Sequence, residues 1–346
     1  MASLKCIASE LGVSYSLVSK VLSGRLGTTG VSFKTRQAIL RKAKQLEYVP
    51  NPLAVALKAG RKGTVGVFVH YIGSPGSDVS ARLLKGIAEG LEQSSSRMWL
   101  RFFTSDEDFL TACDTRLKKE VDGLIVAGVH EPRLMQRFQE LERERVPVVG
   151  LFSNLPDKAR QALTVVAVDC EKQGYLATRH LFDQGCRNLA CLRTGERRTA
   201  GFLRAHQETG IKPDPRLILS TKTFLPAEGR NAVAQFVESG MSFDGLVCQS
   251  DAQALGAINE FVRRGIRVPE DVKVTGVDNS PLAEACVVPI TSVTAEMRTA
   301  GRKAVETLLE KIEGREVSPE PIEPQLHLRA SSGAVAPGPE GRGDLE

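Results

Sequence analysis

Apolar residues at Leu4, Ile7, Ala8 and Leu11 recur at helical spacing and predict a first short helix with Ser3 as its N-cap. Gly12 stops that helix, and Ser14 caps a second one running from Tyr15 to about Leu22. A third helix reads from Lys34 to Leu46, with Ala38, Ile39, Lys42, Ala43 and Leu46 near one face, able to cover the apolar side of the first two. Two short helices joined by a tight turn at a glycine form the helix-turn-helix pattern, whose second helix fits a DNA major groove. A plain three-helix bundle is the competing reading. Between the second and third helices, Ser23–Gly30 holds three glycines in eight residues and predicts a loop; Arg25 on it is either a phosphate contact or simply solvated.

Asn51 followed by Pro52 marks a further helix start over 53–58, too short to be stable alone in water. From Thr64 the period changes. Val65–Val69 is a continuous apolar run, as expected of a buried parallel strand. Helices then read at 81–93, 109–119 and 133–145, and strands at 98–103, 123–127 and 146–151. A second alternation follows, with strands at 165–168, 188–192, 217–220, 245–249 and 273–276. Its helices read at 174–184, 198–210, 227–239 and 252–264. Strands alternating with helices give right-handed βαβ units, so the fold class is α/β: two doubly wound parallel-sheet subdomains in series behind an all-α amino-terminal unit. A last helix, Thr299–Glu313, is expected to pack on the core. The Gly- and Pro-rich end, 333–346, is expected to be a disordered tail, in which Arg342-Gly343-Asp344 is a chance triplet. The expected domains are 1–50, a linker at 51–63, a core at 64–332, and the tail.

Charge changes this picture by splitting it. Residues 1–63 carry eleven Lys and Arg against two acids, a balance of +9, within a chain of net +5. The remainder, with 35 basic and 39 acidic residues, stands at −4, so only the small unit is a partner for a polyanion. Hydrophobic content of 42% and charged content of 25% over 346 residues describe an ordinary globular chain with ample core. No run approaches eighteen apolar residues and no apolar leader opens the chain, so neither a spanning helix nor export is expected. Seven dispersed cysteines, never spaced C-x-x-C, point to reduced thiols in a cytoplasm and to no zinc site or other cofactor.

Ala8, Gly12-Val13-Ser14, Val18-Ser19, Lys34-Thr35-Arg36, Tyr48-Val49-Pro50-Asn51 and Leu57-Lys58 together resemble the lactose-repressor family of bacterial transcription regulators. The resemblance continues to about Ser332. It implies that the core has the periplasmic sugar-binding-protein fold, with a ligand crevice between the halves at the carboxyl ends of the strands. It implies a homodimer on a pseudo-palindromic operator in double-stranded DNA, located in the cytoplasm at the nucleoid. In the family, Tyr15, Ser16 and Lys20 correspond to the base-reading positions, and Ser14, Ser19, Thr35 and Asn51 to phosphate contacts. Lysine at position 20 lacks the two-pronged fork of the arginine more common there. Leu17 stands where a polar residue is usual, and Tyr15 has a purely structural reading beside the recognition one. Ala54, Leu57 and Lys58 belong to a hinge helix that orders on the minor groove, with Leu57 as the wedge. A bare interdomain linker is the other reading.

For the effector, the resemblance singles out Arg198, Ser250 and Asp278, with Asp78 and Ser80 as further candidates; a loop residue that only caps a helix competes with each. Asp251 reads as such a cap. The loop 192–198 is several residues shorter than the family's, which puts one pocket wall in question, and aromatics, at 5%, are too sparse to make a sugar-stacking platform obvious. A sugar or related metabolite is the expected ligand. A regulator without an effector, controlled by a protein partner or by abundance, is the rival within that class. A pure solute-binding protein would lack the basic unit. An enzyme on a doubly wound fold would show a glycine-rich phosphate loop, a nucleophile elbow or metal-ligand spacing, and the chain has none of these.

Overall fold

A computed structural model describes residues 3–22, 30–48, 60–70, 78–94, 96–103, 105–114, 116–128, 132–151 and 163–333. The expected hinge helix with Asn51, Ala54, Leu57 and Lys58, the loop at 23–29 and the tail beyond Gly333 lie outside these residues.

The amino-terminal unit forms as its periodicity predicts. Helix α1 spans Leu4–Leu11 and α2 spans Tyr15–Leu22. Ser3 caps α1 by accepting from the Cys6 amide, and Gly12 ends it with φ 62°, a conformation that suits a residue without Cβ. The Ser14 hydroxyl accepts from the Leu17 amide at 3.1 Å and so caps α2. Helix α3, Phe33–Gln45, is capped by Ser32. Ile7, Ala8, Val18, Val21, Ile39 and Ala43 make the small core these helices share, and a Lys42–Glu10 ion pair ties α3 to α1.

The core holds two sheets. The first, ordered β2-β1-β3-β4, is wholly parallel and comprises β1 Thr64–His70, β2 Arg97–Phe103, β3 Gly123–Ala127 and β4 Val148–Leu151. Helix α4, Val79–Ser94, packs on one side of it; α5 Asp106–Ala112, α6 Leu117–Glu120 and α7 Pro132–Arg143 complete the half. Phe68, Phe103, Phe109 and Phe138 meet there in tilted and edge-to-face pairs, at 5.1–5.8 Å between centroids.

The second half contains α8 Cys170–Asp183, β5 Leu189–Arg193, α9 Glu196–Thr209, β6 Ile218–Ser220, α10 Pro226–Glu238, β7 Gly245–Val247, α11 Asp251–Arg263 and β8 Lys273–Asp278. After the short α12, Pro281–Ala285, comes β9, Thr291–Thr294. The chain then returns to the first half as α13, Met297–Ile312, which lies against α4, β3 and β4. It comes back once more as β10, Leu326–His327, antiparallel to β9. The second sheet is therefore ordered β10-β9-β8-β7-β5-β6.

Three expectations need correction. The halves are not simply in series, because α13 belongs to the first and β10 to the second. The expected strand at 165–168 makes only single bridges, Val165 to Gly150 and Val168 to Ile322. It is a connecting segment held by isolated bridges rather than by a strand ladder. The expected helix at 109–119 is two helices. Asp114 accepts from the Arg116 amide at 2.7 Å, an Asx-type turn that competes with helical continuation.

Helix pairs in the core approach unusually closely through glycines. A Cβ on Gly174 would sit 1.9 Å from the Arg198 carbonyl oxygen, and one on Gly201 would sit 1.9 Å from that of Glu171, so α8 and α9 touch backbone to backbone. Gly229 and Gly256 do the same for α10 and α11, and Gly86 and Gly301 for α4 and α13. Below the first sheet, Asp122 accepts from the Lys62 and Gly63 amides at 2.8 and 2.7 Å. That clamp fixes where the chain leaving the basic unit enters the core.

Candidate DNA-binding helix and effector cleft

At the start of α2, Ser14, Tyr15 and Ser16 are exposed, whereas Val18 and Val21 on the opposite face are buried. Tyr15 is 51% exposed, which favours a side chain available for contact over one capping the small core. Ser19 and Lys20 are half-buried on the same helix. Leu17 packs with the hydrophobic cluster, which accounts for an apolar residue at that place. The Thr35 hydroxyl lies 2.8 Å from that of Ser32 at the start of α3, so these two hydroxyls support one another at a helix N-terminus suited to phosphate. Phe33 beside them is 78% exposed, and no feature of its neighbourhood in the sequence marks it out.

The core brings the other candidates to the carboxyl ends of its strands. Asp278 ends β8 with φ 115°, its side chain 12% exposed. The Arg198 guanidinium stands at 3.9 Å from it, donates through Nε to Gln173 Oε1 at 3.0 Å and through Nη1 to the Gln249 carbonyl at 2.5 Å, and lies 5.5 Å from the centre of the Phe224 ring. From the first half, Asp78 pairs with Arg82, and the other Asp78 oxygen, Oδ1, is buried without a hydrogen-bond partner. Burial pushes the Asp278 carboxyl up to about 7; Arg198 and Arg82 work against that rise, and the negative charges of Asp251 and Asp78 add to it. Asp78 and Arg82 thus act electrostatically on Asp278 from the other half. Ser80 lies on the first turn of α4, two residues past Asp78.

The cap expected at Asp251 is supplied by Ser250. Ser250, 1% exposed, is the cap of α11: its hydroxyl accepts from the Gln253 amide at 3.1 Å and donates to the Phe224 carbonyl at 2.9 Å. Both functions of the hydroxyl are used within the protein. Asp251 caps nothing. It is fully buried and accepts from the Ser280 amide, the Ser280 hydroxyl and the Ser292 hydroxyl at 2.7, 2.9 and 2.5 Å. Burial lifts it to about 6, against the pull of those donors. A Cβ on Gly276 would fall 2.4 Å from its Oδ1, so that glycine makes room for the carboxylate.

Gln173, Gln249 and Gln253, which no motif pointed to, are 1%, 2% and 0% exposed and hydrogen-bond to Arg198 and Ser250 from within the protein. Their one sequence signal is indirect: amides at the ends of apolar strands and on inward helix faces must find partners inside. Among the described residues, no group of three or more His, Cys, Asp or Glu is placed to hold a metal ion, and no helix is long and apolar enough to cross a membrane.

Residues 3–51 match the model of bacterial regulatory proteins of the lacI family, and residues 178–332 that of a periplasmic binding protein-like domain. The regulator DegA of Bacillus subtilis is 29% identical over 94% of this chain and 96% of its own length. The repressor PurR of Haemophilus influenzae is 29% identical over 96% and 98%, and the repressor CytR of Escherichia coli 26% over 91% of each. Among solved structures, the regulator CelR in complex with cellobiose superposes with a TM-score of 0.70 at 26% identity, covering 96% of this chain and all of that one. A lac repressor dimer bound to operator and anti-inducer superposes at 0.71 and 23% identity, over 96% and 99%, which is a likeness of fold. With both segments matched and relatives aligned along nearly the whole length, the chain carries the DNA-binding segment of the lacI family of bacterial regulatory proteins ahead of a periplasmic binding protein-like domain, the make-up of a DNA-binding transcription regulator.

Proposed function

We propose that this regulator is a repressor that holds a pseudo-palindromic operator as a homodimer, and that a small sugar-like molecule entering between the halves of its core sets how tightly it holds. The observation that carries the first part is the exposed Ser14-Tyr15-Ser16 face of α2, on a unit with a balance of +9. One small helix-turn-helix reads few bases, and a second copy across a dyad supplies the rest. Tyr15, Ser16 and Lys20 read base edges; Ser14, Ser19, Thr35 and Asn51 position the backbone; Ala54, Leu57 and Lys58 work in the minor groove. The units are residues 1–50 for DNA, 51–63 for the hinge, and 64–332 for effector and dimer contacts, followed by the tail. Such a protein works in the cytoplasm, at the nucleoid.

The named relatives CytR and PurR are repressors, and CelR holds cellobiose. In this chain Arg198 and Asp278 stand where a ligand hydroxyl would meet a donor and an acceptor. Closing the halves on a ligand would move the Asp122 clamp, and with it the linker, so occupancy and operator affinity are reciprocally coupled. A second reading, a regulator whose cleft takes no ligand, is favoured by Ser250, whose hydroxyl is already spent.

The test is selection of duplexes from a random library by the full chain, followed by titration of the selected operator with sugars. Lys20→Ala should weaken the selected duplex by about 1–3 kcal/mol and relax preference at one base pair per half-site. Unchanged affinity and unchanged preference would remove α2 as the reading helix.

A further inference from the structure

The connection from β5 to α9 is only Thr194-Gly195, and Gly195, the N-cap of α9, offers no side chain to the helix's free amides. A neighbouring strand supplies the missing cap. The Gln249 side chain, from the end of β7, accepts from the Gly195 amide at 2.6 Å and from the Thr194 amide at 3.2 Å. Its own Nε2 donates to the Thr199 hydroxyl at 2.9 Å. Gln253 locks the arrangement: it accepts from the Gln249 amide at 3.0 Å and donates to the Thr194 hydroxyl and the Thr223 carbonyl at 2.8 and 2.9 Å. Two amides just ahead of a fourteen-residue helix, with an arginine close by, are groups of the kind that hold an anion. Here a side chain 98% withdrawn from solvent already occupies them.

The charges nearby lead the same way. Arg198 is committed to Gln173, to the Gln249 carbonyl and to Asp278, and Arg82 to Asp78. Arg198 hydrogen-bonds through only two of its N–H groups, and acceptor capacity is unmet as well: Asp78 Oδ1 is buried with no donor, and among the described residues Asp278 has only the 3.9 Å approach of Arg198. A ligand settling here gains by bringing hydrogen-bond donors and loses by bringing a second negative charge.

We propose that Gln249 sets the ligand class of the cleft: by occupying the amides that open α9, it admits uncharged hydroxyl-bearing ligands and excludes phosphorylated ones. This rests on the reading of the cleft as an effector site. The full chain is melted with inorganic phosphate, with a panel of neutral hexoses and disaccharides, and with the corresponding hexose phosphates. The variants Gln249→Ala and Gln249→Glu are melted in parallel.

Phosphate should raise the Tm of Gln249→Ala by about 2 °C or more. It should leave the wild type and Gln249→Glu unmoved, since the glutamate keeps the cap and adds repulsion. The proposal is overturned if phosphate shifts the wild type as far as the alanine variant, if folded Gln249→Ala gains nothing, or if Gln249→Glu responds equally. Should the alanine variant not fold, Gln249→Ser takes its place. The wild type decides independently: stabilisation by a hexose phosphate above its parent hexose sinks the idea. If no sugar shifts the wild type while Gln249→Ala gains phosphate, the effector reading falls and the role of Gln249 stands. If neutral sugars bind and the alanine variant gains nothing, the reverse holds.

Discussion

Gly201→Ala is expected to destabilise the core by about 3 kcal/mol or more, at or beyond the upper end for overpacking, and to lower its Tm by roughly 6–12 °C. The added methyl would lie 1.9 Å from the Glu171 carbonyl oxygen and 2.5 Å from the Tyr175 amide nitrogen, both of them backbone. A side chain in the way can change rotamer; a helix cannot. Relief requires α8 and α9 to part, and the facing clash at Gly174 shows that this contact is tight from both sides. Parting also stretches the 3.0 Å bond from Arg198 on α9 to Gln173 on α8, so a surviving variant should lose effector response as well as stability. Gly30→Ala is the matched control, since its Cβ would meet nothing within 4 Å. Calorimetry of the two variants decides: a drop under about 1 kcal/mol at Gly201 would mean that the helices have room to yield.

Most of the architecture was legible because its signals are local. Ser3, Gly12 and Ser14 punctuate α1 and α2 at the expected residues, and the change of period after Thr64 announces the sheets. What stayed hidden depends on contacts distant in sequence. Strand β9, Thr-Ser-Val-Thr, is short and mostly hydroxylic; it is a strand because β8 and β10 flank it. Helix α13 has an ordinary amphipathic stripe, and long-range contacts such as Gly86–Gly301 and the Glu89–Arg298 pair at 2.7 Å say which half it joins. The break at Asp114 is the exception: a local turn signal was present and helical periodicity outweighed it.

The cleft was legible where a residue falls on a motif of the resembled family and illegible where this chain departs from that motif. Arg198 and Asp278 come together as the resemblance implied, although they stand 80 positions apart in the sequence. The Ser250–Asp251 pair shows the limit. Both are polar, both adjoin a helix start, and only the side-chain geometry tells which accepts from the helix amide and which is buried beneath Gly276. The shortened β5–α9 connection was visible as missing length. That Gln249, more than fifty residues on, would supply its cap was not, because nothing local ties a strand-end glutamine to another strand's helix.

Asp278→Asn is expected to make the protein more stable above neutral pH and deaf to its effector. In the folded chain this carboxyl is pushed up to about 7 from 3.8, chiefly by burial. A carboxyl raised on folding binds its proton more tightly in the native state. Its contribution is therefore fully present below about pH 4 and is lost as pH rises through 7. Asp251, raised to about 6, adds a loss of the same sign at slightly lower pH. Glu260 and Asp271 do not confuse the window. Arginine partners, Arg263 and Arg264 for the first and Arg267 for the second, hold them near 2, so their contribution disappears only under acid conditions. Asparagine carries no charge at any of these pH values and accepts the positive φ of this position. It leaves Arg198 its bonds to Gln173 and the Gln249 carbonyl. The gain should be largest above pH 7 and shrink steadily as pH falls toward 4. Between pH 5 and 8 the variant's melting temperature should gain on the wild type's as pH rises; His180, His206 and His327, whose pKa burial lowers, act on both proteins alike. Parallel curves would place the ionisation elsewhere. A stabilised variant that still released operator to the same ligand would show that Asp278 is not where the effector is held, because a buried carboxylate kept at a cost to stability is explained only by what it binds.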